Sequence, residues 1–126
     1  MVTILRFGLA ILVASLLTES PASAHHSGAM FDSTKQTTLT GTVREFQWSN
    51  PHRWIQLVVP TNGAAEEWSV EMGAPIELFK AGWKRGTLMA GDRIVVIVHP
   101  IKDGTRAGSY LSATNVDGTP VGSQSK

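Results

Sequence analysis

The stretch that most limits the fold runs from Gly41 to Val59: GTVREFQWSNPHRWIQLVV. It reads as two strands joined by a tight corner at Ser49-Asn50-Pro51. Pro51 fixes its own φ and pushes Asn50 out of the helical region, so the chain must turn there. The corner places His52 at the mouth of the second strand. In the first strand, expected from Thr37 to Trp48, Leu39, Gly41 and Val43 share one face. The alternation then slips at Arg44 and Glu45, and the apolar series resumes at Phe46 and Trp48. A one-residue slip in a period of two is the mark of a β-bulge. With Gly41 beside it, the slip suits a long strand that curls to serve both sides of a small barrel.

The second strand is expected from Arg53 to Pro60, with Ile55, Leu57 and Val59 inward and His52, Trp54 and Gln56 outward. Thr61-Asn62-Gly63 signals a turn. A third strand from Glu66 to Met72 puts Trp68, Val70 and Met72 inward and Glu67, Ser69 and Glu71 outward. Ala74 to Ala81 reads as a short helix, with Pro75 in its first turn and Gly82 as its stop. Arg93 to His99 is a fourth strand whose continuous apolar run, Ile94 to Val98, predicts cover on both faces. Ser109 to Val116 is the fifth, closed by an Asp117-Gly118 turn. Trp48, Trp68 and Trp83 read as core.

The order strand, strand, strand, helix, strand, strand predicts an all-β fold with one short helix, a five-stranded OB-like barrel. Such barrels carry ligands on the face of strands two and three and in the neighbouring loops. An open sheet with one packed helix, or a small sandwich, is the alternative.

Ahead of this domain lies a leader. Arg6 precedes an apolar run from Phe7 to Leu17, and Ala22-Ser23-Ala24 supplies a small-x-small cleavage site. The run of 11 residues falls short of the roughly 20 that cross a bilayer. The expected division is a signal peptide over 1–24, an arm over 25–36, the barrel over 37–118 and a free tail over 119–126. Met30 and Phe31 are expected to hold the arm to the body. Cleavage removes Arg6 and Glu19, leaving ten basic and nine acidic side chains, a balance of +1. That offers no electrostatic footprint for nucleic acid. The chain has no cysteine, so an exported domain of this kind is held by packing alone. The expected location is the periplasm or outside the cell, with no membrane span after cleavage.

His25-His26-Ser27, Thr38-Leu39-Thr40-Gly41-Thr42-Val43, Glu45-Phe46-Gln47-Trp48, Asn50-Pro51-His52, Gly82-Trp83 and Gly91-Asp92 together carry a resemblance. The chain resembles small exported bacterial proteins, grouped as a domain of unknown function, whose mature form begins His-His-Ser. The likeness runs from about His25 to Gly118. It implies export and the shared framework; it brings no activity and no catalytic residue.

Two constellations could carry chemistry. All four histidines, His25, His26, His52 and His99, survive cleavage. An amino-terminal histidine offers its α-amine and imidazole as a chelating pair, and His52 and His99 flank loops at one side of an OB barrel. A nitrogen-rich set of this kind suits Cu(II) or another divalent transition metal; without a thiolate it suits Cu(I) less. The plainer reading makes the first two a weakly chelating tail and the other two ordinary strand-end residues.

The second constellation is the outward face formed by Trp54, Gln56, Glu67, Ser69 and Glu71 with His52. It would take an envelope protein or a small ligand, or it is simply a solvated face. Glu67 and Glu71 lie about 13 Å apart along one strand, too far for a glycosidase carboxylate pair. No nucleophile motif or phosphate loop is present, and the chain is not expected to be an enzyme.

Overall fold

In the computed structural model, residues 28–122 are described. Five strands, β1 (Thr37–Trp48), β2 (Arg53–Thr61), β3 (Ala64–Met72), β4 (Arg93–Pro100) and β5 (Ala107–Asn115), close into a barrel in the order β1-β2-β3-β5-β4. One helix, α1 (Pro75–Lys80), lies between β3 and β4 in the chain. This is the OB-like barrel that the element order predicts. No helix among the described residues is long and apolar enough to cross a membrane.

β1 has two partners. Its first half pairs with β4, from Thr37↔Val98 to Thr42↔Arg93, and its second half pairs with β2, from Thr42↔Val58 to Trp48↔Arg53. The register to β2 shifts between Val43 and Glu45, so Arg44 is the extra residue of the bulge. The bulge rotates the strand by one residue, which returns Phe46 and Trp48 to the side that Leu39 and Val43 occupy. Gly41 sits where β1 passes from one partner to the other. A β-carbon there would stand 2.6 Å from the Val58 carbonyl oxygen, so no larger residue fits without moving backbone.

β2 and β3 form a hairpin closed by Asn62-Gly63, both at positive φ (49° and 80°). That is the two-residue turn whose twist matches the flanking strands. β3 therefore begins at Ala64, two residues before the sequence-based start. α1 opens on Pro75 and buries Leu78. Gly82, at φ 85°, ends it: its N–H donates to Phe79 O, and Trp83 N–H donates to Leu78 O at 2.9 Å. This C-terminal cap turns Trp83 into the barrel, where its ring lies 5.8 Å from Phe46 and 5.6 Å from Tyr110. Trp83 is wholly buried; Trp48 and Trp68 are half-buried and pack against the core from its edge.

The core is built from alternate residues of every strand, among them Val43, Ile55, Leu57, Val70, Ile94 and Val96. Full burial of such a side chain contributes about 1.5–3 kcal/mol. Two expectations need correction. β4 is fully covered on one face only: Ile94, Val96 and Val98 are buried, while Val95 and Ile97 are half-buried. Val95 and Ile97 sit between Thr38, Thr40, Ser112 and Thr114 of the adjoining strands, side chains too short to roof them over. Nor is the tail free from Thr119. The Asp117-Gly118 turn reverses the chain, Asn115 N–H donates to Thr119 O, and Val121 N–H donates to Ala113 O. Val121 is buried, and Gly122 lies flat on the Trp83 indole, with no room for a β-carbon. β5 also starts earlier than expected, at Ala107, because it gains a short parallel pairing with β3, Ser69↔Ala107 to Glu71↔Ser109.

Candidate functional site

The alternation of β2 and β3 sets the outer face of the hairpin. Trp54 pairs with Glu71, Gln56 with Ser69 and Val58 with Glu67. The structure therefore brings Trp54, Gln56, Glu67, Ser69 and Glu71 onto one surface, as the period of two requires. Much of that surface satisfies itself. Ser69 Oγ donates to Gln56 Oε1 at 2.6 Å, and Gln56 Nε2 donates to Gln47 Oε1 at 3.2 Å, a polar chain across three strands. Glu67 meets Arg44 at 3.5 Å, both exposed, an ion pair worth little in water.

The other end of the face differs. His52 Nδ1 lies 3.3 Å from the Met72 carbonyl oxygen and 3.5 Å from Glu71 Oε1. Both neighbours are acceptors, so Nδ1 is the donor, and in the neutral ring Nε2 holds the lone pair. Glu71 is only 7% exposed although it sits on an outward position. His99 shows the same arrangement: its Nδ1 lies 2.7 Å from the Lys35 carbonyl oxygen, which again leaves Nε2 as the basic nitrogen.

Strand order decides how the two histidines relate. His99 pairs with Ser109, Ser109 with Glu71, and Glu71 with Trp54, two residues past His52. The histidines thus flank one row around the barrel. Two strands stand between them, and three ladder steps come to about 14 Å between the His99 and Trp54 backbones. They share an end of the barrel without touching, and Glu71 occupies the ground between. Among the described residues no group of three or more His, Cys, Asp or Glu side chains converges. His25 and His26 lie outside the described residues. The arm that follows them does have a fixed place: Asp32 N–H donates to Pro100 O at 2.8 Å, Lys102 N–H donates to Met30 O at 3.0 Å, and Phe31 bridges Ile101. The arm thus enters beside the His99 end of β4.

One residue that positions the site is not marked in the sequence. Arg53 continues the inward series of Ile55 and Leu57 and is 5% exposed. Its guanidinium stacks 4.0 Å over the Trp48 ring. Nη1 donates to the Ser49 carbonyl oxygen and to Asn50 Oδ1, while Nε is buried without an acceptor. Ser49 Oγ donates in turn to His52 O at 3.2 Å. Arg53 therefore ties down the corner, whose Asn50-Pro51 peptide is cis, and with it the start of β2 that presents His52. Its signal in the sequence was the parity of position 53 alone, which its charge argued against.

A search of curated proteins finds no match. Among solved structures, a crystal structure of the mitochondrial single-stranded DNA binding protein Rim1 from S. cerevisiae aligns with a TM-score of 0.49 at 9% identity, covering 65% of this chain and 94% of that one. The model of a family of unknown function, DUF6152, matches residues 12–111. The residues that carry the barrel and its histidine row thus fall largely within that match, and the chain belongs to this family.

Proposed function

We propose that this protein is an exported binding module that takes up a divalent transition metal, Cu(II) foremost, through His25 with His26, His52 and His99 in support. The observation that carries the reading is the anchoring of both described imidazoles. Each gives its Nδ1 proton toward a backbone carbonyl, and His52 also toward a carboxylate, which fixes the tautomer and leaves Nε2 basic. Metal-binding histidines are oriented in this way. Chain length supports the rest. Five chain steps lead from His25 to Met30, a reach of at most about 17 Å, comparable with the row from His99 to His52. An α-amine and imidazole arriving from the arm would complete a nitrogen set beside either histidine, and such sets favour Cu(II) over softer ions. Export rests on the leader.

The test is a Cu(II) titration of protein whose first residue is His25. His52→Ala, or one extra residue ahead of His25, is expected to weaken binding at least tenfold. Glu71→Gln is expected to weaken it by about the tenfold typical of a group that orients a ligand. An affinity unchanged in all three ends this reading. The second reading, an envelope interaction module that binds a protein or small ligand on the β2/β3 face, has Trp54 in its favour. The mutual hydrogen bonds of Gln56, Ser69 and Gln47 leave that face fewer groups to offer.

A further inference from the structure

The connection from β3 to β4 stands apart from the histidine row in chemistry. Five large apolar side chains are exposed among the described residues, and three of them lie in this connection: Ile76 (61%), Phe79 (63%) and Met89 (67%). Ile76 and Phe79 are three apart on α1 and so neighbours on its surface, while Leu78 is turned to the barrel. Charge is sorted along the same segment. Between Glu77 and Asp92 every charged side chain is basic: Lys80, Lys84 and Arg85, all exposed. Glu77, exposed on α1 between Ile76 and Phe79, and Asp92 at the end of the connection are its two acids; Glu66, Glu67 and Glu71 lie on β3. A chain with a net charge of only +1 therefore groups three cations, Lys80, Lys84 and Arg85, directly after the apolar pair, against Glu77 and Asp92 in the same connection.

We infer that this connection is a docking surface for an anionic lipid bilayer. Phe79 and Ile76 enter the headgroup level, and Lys84 and Arg85, with Lys80 beside them, face lipid phosphates. The size of the patch argues for a lipid plane over a folded partner. A stable protein interface covers about 800 Å² on each side, well beyond two side chains, whereas a bilayer gains from an apolar wedge and from each added cation separately. The proposal is independent of metal binding.

Sedimentation with vesicles tests it, using the chain from His25 onward, which contains every residue of the core. Vesicles of phosphatidylcholine with one quarter phosphatidylglycerol are compared with phosphatidylcholine alone. Binding is expected to the first and to fall steeply with added salt. Lys84→Glu with Arg85→Glu is expected to reduce it at least about 25-fold, since each cation near such a surface is worth about fivefold. Phe79→Ser is expected to reduce it severalfold. Val116→Ser, an equally exposed apolar residue outside the connection, leaves it unchanged. All these positions are exposed, and retained tryptophan fluorescence confirms that the variants fold. Equal binding to both vesicle types overturns the inference. So does phosphatidylglycerol binding that survives either variant, or self-association that Phe79→Ser abolishes in a protein that ignores vesicles.

Discussion

Replacing Gly41 with alanine tests the way β1 crosses from one partner to the other. The new β-carbon would stand 2.6 Å from the Val58 carbonyl oxygen and 3.1 Å from Val59 Cγ2. Ordinary contact begins near 3.4 Å, so β2 must retreat by about 0.8 Å, and the obstacle is backbone, which has no rotamer to change. A retreat of that size stretches a hydrogen bond of about 2.9 Å past its useful range. Losing one or two ladder bonds costs about 1 kcal/mol each, and overpacking adds about 1–3 kcal/mol. Alanine returns about 0.4–1 kcal/mol by restricting the unfolded chain. The net loss is about 3 kcal/mol, or roughly 12–24 °C in Tm for a domain of this size. Urea unfolding followed by tryptophan fluorescence measures it. Gly86→Ala is the control, because a β-carbon there meets nothing within 4 Å. If Gly41→Ala is no less stable than Gly86→Ala, the close approach of β1 to β2 is refuted.

Two further substitutions probe the end of the barrel near Trp83. Val121→Ser should lower stability by about 1.5–2 kcal/mol, because Val121 is buried and its N–H is bonded to Ala113 O; a thermal melt equal to wild type would mean that the returning segment is not part of the core. Burial holds the Tyr110 hydroxyl above its ordinary pKa of 10.0, offset in part by a hydrogen bond to the Ala113 backbone. The unfolded chain then loses its proton first, so this contribution is present below pH 10 and is lost as pH rises through the folded value. Tyr110→Phe should flatten the alkaline decline in stability above pH 10, and an unchanged decline in urea melts across that range would count against the burial.

The features legible in the sequence were those encoded locally. The slip at Arg44, the turn at Asn62-Gly63 and the helix from Pro75 to Gly82 each depend on a few adjacent residues; Gly41 was legible as a point of curvature, while the Val58 carbonyl that excludes a side chain there was not. The rest depends on partners far along the chain. The start of β5 at Ala107 is set by a three-residue parallel pairing with β3, which no local pattern announces. The inward turn of Arg53 needs the Trp48 ring and the corner carbonyl to make a buried cation tolerable. The return of Val121 needs a groove beside Ala113 that exists only once β5 is in place. In the candidate site the outward set on β2 and β3 was readable from parity. The gap between His52 and His99 was not, because it comes from the insertion of β3 and β5 between their strands.

The double allegiance of β1 leaves the barrel without a dividing line. Thr42 belongs to both ladders, and the first half of the strand finds its partner only when Val98 comes back to Thr37. The β1-β2-β3 meander by itself would leave half a strand of amides bonded to water and Leu39 uncovered. Closure therefore joins residues some sixty positions apart, and a fragment that ends before β4 lacks the partner of the first half of β1.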